Sequence, residues 1–345
     1  FDEFKSLYLT GIASFLIVMF SFIIPLSVDI DNQIVSKNDS KINNSKTDFE
    51  KVLSGESIDD KEKVDEGLDL SNILEDVFKF DELPEDTVRL SASTIEQLFK
   101  DTNYSLSEVR RTKKVKPIRL SLLPNEMKSI ENSGKRKNLF IKIILPLVLE
   151  ENNRIIIDRK KLFTILNKNK NSKDEIKWLN QKFKQYGVVN KDLATLKVRM
   201  DIIPVSLAIA QAAKETGWGT SRFAIEGNAL FGQWTWSGEG IKPAGADVDA
   251  TYKVMKFNVL KASVRAYQRN LNTHSSYKKF RFIRAQLRDD NKKLDSLKLA
   301  EYLDNYAQTG TEYTKVLKQI IQQNQLKDFD EVKLLPLSVK YKNII

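Results

Sequence analysis

The chain has 345 residues, 41% hydrophobic and 30% charged, enough for one large domain or two smaller ones plus extensions. It contains no cysteine, which excludes disulfides, thiolate nucleophiles and Cys-based metal sites. A single histidine, His274, argues against a multi-histidine zinc site and is the lone candidate for a Ser-His-Asp triad. The formal charge of +10 fits a polyanionic partner (nucleic acid, anionic lipid or cell-wall polymer), or merely a composition rich in Lys, Asn and Ile.

Residues 8–28, YLTGIASFLIVMFSFIIPLSV, carry no charge and are long enough to span a bilayer. No small-x-small cleavage site follows, so residues 1–28 read as an uncleaved signal anchor, with a buried soluble helix as the alternative. Residues 29–130 are expected to be a polar, largely disordered tether with short helices. Within it, residues 56–86 are acidic and 110–119 basic, both read as solvated charge. Leu70–Lys79 has Ile73, Val77 and Phe78 at helical spacing. Ser93–Lys100 has a capping-box pattern, Ser93 with Glu96. Both helices are candidates to lie on the main domain.

A compact domain is expected over 131–345. Leu139–Leu149 is intensely apolar but too short to cross a membrane, and Pro146 should kink it or start a helix. Helical periodicity continues through Arg154–Asn167. Asp174–Tyr186 is amphipathic and ends at Gly187 as a C-cap. A helix starts at Pro204, followed by a Gly- and aromatic-rich region, Gly217–Ala250. Further helices are predicted over Val259–Thr273, Tyr277–Asp289, Leu294–Asn305 and Glu312–Gln323. Ala250–Asn258 alternates like a strand. The fold class is mainly α, with a small inserted loop or β lobe after the Pro204 helix.

The Pro204 helix is built of small residues, Ala208, Ala210, Ala212 and Ala213, so neighbours can pack closely on it. Glu215 falls in its last turn, before Gly217-Trp218-Gly219. Burial, the negative end of the helix dipole and a neighbouring indole would all favour the neutral acid. Such an acid can donate its proton to a leaving group, as glycoside hydrolysis requires. The alternative is a solvated glutamate paired with Lys214 or Arg222. The segment that follows concentrates Trp218, Phe231, Trp234, Trp236 and Tyr252, whose flat faces suit sugar rings. It also holds two amides, Asn228 and Gln233, suited to hydroxyl or N-acetyl groups. Equally, these aromatics can form the lobe's own small core.

AQAAKETGWGTSRFA followed by GNALFGQW resembles the glucosaminidase domain of bacterial peptidoglycan hydrolases, seen in flagellar rod-assembly muramidases and autolysins. KNLFIKIILPLVLEENNRIIIDRKKL, MDIIPVSLAIAQAA, SVRAYQRNLNTHSSYKKFR and YAQTGTEYTKVL extend the likeness to the Bax-type members, over about residues 137–323, with a glucosaminidase core at about 195–325. The resemblance implies a lysozyme-like fold with Glu215 as catalytic acid. Tyr306 and Tyr313 would stand on the helical wall of a cleft, and Asn228, Phe231 and Gly232 in the turn after the catalytic helix. Trp218, Asn228, Phe231, Gln233, Trp234, Tyr306 and Tyr313 are the expected substrate contacts. Two departures stand out. Thr216 replaces the usual Ser, and Thr309-Gly310 stands where Asp-Pro is common, with the second tyrosine one residue later.

The activity implied is an endo-β-N-acetylglucosaminidase cutting the β-1,4 bond after N-acetylglucosamine. A lytic transglycosylase on the same polymer, or an inactive wall-binding scaffold, are the alternatives. Glu239, in SGEG, is the first candidate for a second carboxylate, ahead of Asp247 and Asp249; the substrate's own N-acetyl group is another route. Arg265, Arg269 and Arg281 either line the cleft or form a solvated face. Amidase chemistry, sometimes attached to the family by name, has no metal or nucleophile constellation here. No metal or cofactor is expected. The partners would be peptidoglycan glycan strands and the inner membrane through residues 8–28, with no nucleic acid, placing the catalytic domain in the periplasm of a bacterial cell envelope.

Overall fold

The structure, a computed structural model, describes residues 70–79, 83, 87–235, 240–243 and 251–336. The expected anchor, most of the expected acidic tether, and Trp236, Glu239, Asp247 and Asp249 lie outside them. The described elements are helical for the most part, as the sequence predicts. In chain order the helices are α1 Leu70–Phe78, α2 Ala92–Asp101, α3 Leu106–Thr112, α4 Ser133–Leu166, α5 Lys173–Gln185 and α6 Leu193–Arg199. They continue with α7 Val205–Thr216, α8 Arg222–Gly227, α9 Leu260–Thr273, α10 Lys278–Asp289, α11 Ser296–Ala300 and α12 Thr311–Gln323. The strands are β1 Lys114–Val115, β2 Trp234–Thr235, β3 Gly240–Ile241, β4 Lys253–Met255 and β5 Lys333–Leu334.

Between α8 and α9, β4 forms the centre of a three-stranded antiparallel sheet in the order β2-β4-β3, with Trp234 opposite Val254 and Gly240 opposite Met255. This is the inserted β unit. β1 and β5 pair in parallel, Val115 opposite Leu334, and tie the segment after α3 to the end of the described chain.

The core forms around α4. Its N-terminal half is buried nearly all round, from Leu139 to Leu149, because α7, α9 and the 87–130 segment cover it. Pro146 neither ends nor starts the helix, which runs through it. The C-terminal half is amphipathic and forms a second, smaller core with α5 and α6 through Ile155, Leu162, Phe183, Tyr186, Leu196 and Met200. α5 has the full capping box, Ser172 with Glu175, and Gly187 follows its C-cap at φ +62°. Among the described residues no helix is long and apolar enough to cross a membrane.

Three expectations change. Residues 87–130 are not a tether. Ile95, Phe99, Val109, Val115, Leu123 and Met127 are all buried in the main core, and Tyr104 donates from its hydroxyl to the Lys142 carbonyl at 3.0 Å. The polar composition of this segment masked apolar residues that reach the core from short helices. The N-cap of α2 is Ser91, which accepts from the Thr94 amide, rather than Ser93. The predicted helix Leu294–Asn305 shrinks to α11 and a 3-10 turn, Asp304–Tyr306, which delivers Tyr306.

Candidate active site

α7 is the rod on which the site is built. It packs against α4, α12 and the 3-10 turn Leu326–Phe329, and its alanines are fully buried where these neighbours approach. The turn entering it is clamped by buried polar side chains. Asn152 donates to the Ile203 carbonyl at 2.8 Å, and Asn272 donates to the Asp201 carbonyl at 2.9 Å. Arg284, fully buried, donates to the carbonyls of Val198, Asp201 and Ile202. Pro204 is the N-cap and offers no side-chain cap. Asp330 supplies one from a distance, accepting from both the Ser206 amide and its hydroxyl at 2.8 Å.

The other end turns sharply. Gly217, Trp218 and Gly219 all have positive φ, +58°, +62° and +83°. For Trp218 the left-handed backbone costs about 1–2 kcal/mol. Contacts with α4 offset that cost: its ring meets Phe140 edge-on at 5.9 Å, and the Lys137 ammonium lies 5.1 Å from its centroid. The Thr216 hydroxyl accepts from the Gly219 amide at 2.9 Å and donates to the Ala212 carbonyl at 2.6 Å, so threonine serves the turn.

This turn presents Glu215. Its Oε1 accepts a hydrogen bond from the Tyr313 hydroxyl at 2.8 Å. Its Oε2 faces the backbone of Gly232, where a Cβ would stand only 3.4 Å away. Burial pushes the carboxyl pKa above its ordinary value, against the opposing pull of the Tyr313 hydroxyl and Lys214. Burial thus moves the balance toward the neutral acid. Tyr313 stacks on Tyr306 at 5.5 Å with the rings nearly parallel, and Tyr306 donates to the Phe231 carbonyl at 2.9 Å. Gly310, at φ +52° and ψ −117°, starts α12 in a conformation open to glycine, which accommodates the Thr309-Gly310 departure and still brings Tyr313 to Glu215.

The sequence-predicted site residues separate into groups. Glu215, Tyr306, Tyr313 and the Phe231-Gly232 backbone come together. Phe231 itself is buried, stacked face to face on Tyr267 at 3.8 Å, so its ring supports the wall from within. Asn228 is likewise buried at 3% exposure, with Nδ2 donating to the carbonyls of Phe257 and Asn258. It fastens the turn to the lead of α9, and its αL backbone at φ +49° suits asparagine. Trp234 is 46% exposed on β2 and meets Tyr252 edge-on at 5.4 Å, an aromatic surface on the β unit. Gln233 is half-buried, and its Oε1 has no hydrogen-bond partner among the described residues. Trp218 is half-buried and engaged by α4.

The arginines do not line a cleft, nor are they solvated. Arg265 pairs with Glu151 at 3.1 Å and Arg269 with Asp76 of α1 at 3.1 Å, both in the interior. Arg281 donates to the Leu271 and His274 carbonyls. His274 caps a turn, its Nδ1 accepting from the Ser276 amide at 3.3 Å. Two residues of the site were not singled out in the sequence, Gln211 and Tyr267. Both are buried, and Gln211 lies one turn before Glu215, the spacing that would have flagged it. Among the described residues no group of His, Asp and Glu gathers as a metal site.

Residues 190–326 match the glucosaminidase family, described as mannosyl-glycoprotein endo-beta-N-acetylglucosaminidase. The chain is also 32% identical over 211 residues to Protein bax of Escherichia coli (strain K12), an alignment covering 59% of this chain and 75% of that protein. No solved structure matches.

Proposed function

The chain belongs to the Bax family of glucosaminidase-domain proteins, and on that premise we propose that it is a peptidoglycan glycosidase, an endo-β-N-acetylglucosaminidase with Glu215 as general acid. The observation that carries this reading is the environment of Glu215. The carboxyl is desolvated at the C-terminal end of a helix, with one oxygen held by Tyr313 and the other beside a residue without a side chain.

In the proposed reaction the proton on Oε2 passes to the glycosidic oxygen as the C1–O bond breaks. Glu215 becomes a carboxylate, and the Tyr313 hydroxyl stabilises the new charge. Water forms the new bond to C1 and releases a proton, and Glu215 regains one from solvent. The water is activated either by a second carboxylate, with Glu239 the first candidate, or after the substrate's acetamido oxygen has attacked C1. Trp234 and Tyr252 offer an apolar face to a sugar ring. A lysozyme-like arrangement of α body and β unit would put the glycan between them. Residues 8–28 would anchor the chain in the inner membrane, with this domain on the periplasmic side.

The test is digestion of purified peptidoglycan by the full chain, with mass analysis of the products and Glu215→Gln as control. Reducing-end N-acetylglucosamine supports the reading. Anhydro-muramyl ends would replace it with lytic transglycosylation, and equal inertness of wild type and variant with a wall-binding role.

A further inference from the structure

Behind Glu215 runs a line of buried polar groups that proton donation alone does not call for. Gln211, one helical turn earlier on α7, is fully buried, as is Tyr267 of α9, and Tyr313 is 2% exposed. Tyr267 donates from its hydroxyl to Gln211 Oε1 at 2.7 Å. Gln211 Nε2 donates to the Tyr313 hydroxyl oxygen at 3.1 Å. Tyr313 in turn donates to Glu215 Oε1 at 2.8 Å. The Tyr267 ring is held flat against Phe231, the residue before Gly232. The Tyr267 end of the line is therefore braced by the turn that faces Glu215.

Each link has a direction. An amide nitrogen can only donate, so a Tyr313 oxygen that receives Gln211 Nε2 must direct its single proton elsewhere. The acceptor within reach is Glu215 Oε1. In the orientation shown, the Tyr267 hydroxyl gives its one proton to the amide oxygen, and this leaves Nε2 to face Tyr313. Turning the amide over would reverse the line. Tyr313 would then donate to Gln211 and accept from Glu215, and the acidic proton would sit on Oε1, against Tyr313, instead of on Oε2 beside Gly232.

We infer that Gln211, oriented by Tyr267, is a positioning residue that keeps Tyr313 donating to Glu215 Oε1 and so reserves Oε2 for the proton that is transferred. This rests on the glycosidase reading above, but the placement of the proton can be measured without turnover. Facing Glu215 are Tyr313, Tyr306, Tyr267 and Tyr277, with Lys214 on its own helix. Burial holds all four tyrosines neutral at any pH the assay uses, so the carboxyl titrates against fixed dipoles and one lysine.

The experiment uses the full chain with Gln211→Met, Tyr267→Phe, Tyr313→Phe and the Gln211→Met/Tyr313→Phe double variant. Glu215 is titrated by carboxyl-labelled spectroscopy, assigned by its absence in Glu215→Gln, and kcat and KM are followed against pH. Gln211→Met should raise the Glu215 titration and the alkaline limb of kcat together. It should lower kcat about tenfold, the worth of one misdirected hydrogen bond, with KM unchanged. Tyr267→Phe should move both the same way by less. In the Tyr313→Phe background Gln211→Met should add nothing. A Glu215 titration unmoved in Gln211→Met, or effects of the two substitutions that simply add, overturns the inference. If the wild type proves inactive, the glycosidase reading fails, while the spectroscopic shift still decides the relay.

Discussion

Gly232 stands against Glu215 Oε2: a Cβ on this glycine, which sits at φ +62°, would lie 3.4 Å from that oxygen, in van der Waals contact. On the proposed reaction the absence of a side chain is part of the site, since the glycosidic oxygen would reach the same atom. Gly232→Ala places a methyl beside the acid and strains a left-handed backbone. Its stability cost should be about 1 kcal/mol, visible as a small fall in Tm. The fall in kcat/KM should be much larger, about 10²-fold. Equal activity of the folded variant would mean that the leaving group approaches from elsewhere.

The raised titration of Glu215 sets the sign of the pH dependence. A general acid works while protonated, so activity should decline as pH rises through that raised value, a loss on the alkaline side. Glu215→Gln keeps the shape but has no proton to give. It should lower kcat by about 10²–10⁴-fold and abolish that limb. Tyr313→Phe removes a bond that favours the carboxylate, so the limb should move to higher pH. Rate profiles of the variants measure both.

Much of this was legible in the sequence because it is local. The alanine run, Glu215 before a glycine and the helix ends follow from residues a few positions apart. Tyr267 was missed because its meaning depends on 56 residues of sequence separation closed by the fold, and Gln211, although one turn before Glu215, takes its role from that contact. The 87–130 segment was misjudged for a similar reason. Phe99 and Met127 look isolated among polar neighbours, yet Met127 lies close enough to the turn after α7 for its Cε to be 3.1 Å from a Cβ built on Gly219. A chain beginning at residue 131 should therefore unfold without cooperativity and should bind hydrophobic dye. Phe99→Ala in the full chain should cost about 3–5 kcal/mol by denaturant titration.

Asp201 gives a prediction about acid stability. At 2% exposure its pKa would be raised by burial, but Arg284, Arg159 and Arg288 more than reverse this and hold it below its ordinary value. Arg288 grips it through two bonds of 3.1 Å. A carboxyl depressed in the folded state adds stability above its unfolded pKa, and that share disappears as pH falls through the folded value. Asp201→Asn leaves the fully buried Arg284 without a counter-charge, at a cost of about 3–5 kcal/mol. The variant should also lose less stability than wild type on acidification, as paired denaturation curves at neutral and acid pH would record. Because Asp201 fixes the turn into α7, activity per folded molecule should fall as well.

Asp330 is expected to behave in the opposite sense. It caps α7 through Ser206, yet burial raises its carboxyl to about 6, ahead of the lowering effect of the two Ser206 bonds. A carboxyl whose folded pKa lies above the unfolded one contributes stability that is complete below the unfolded value and is lost as pH rises through about 6. The helix that carries Glu215 should thus be held most firmly in mild acid. Asp330→Asn keeps an oxygen for the Ser206 amide and an N–H for its hydroxyl, with no charge to desolvate. Its stability should therefore fall less than that of the wild type between about pH 4 and 7, and the two curves should differ most at the neutral end. Asp330→Ala, which lacks the cap altogether, should be less stable than Asp330→Asn at every pH by about 1 kcal/mol. Thermal denaturation of the three chains across that range measures each difference, and a wild type that gains stability from pH 4 to 7 relative to Asp330→Asn would show that the capping bonds outweigh the burial of the charge.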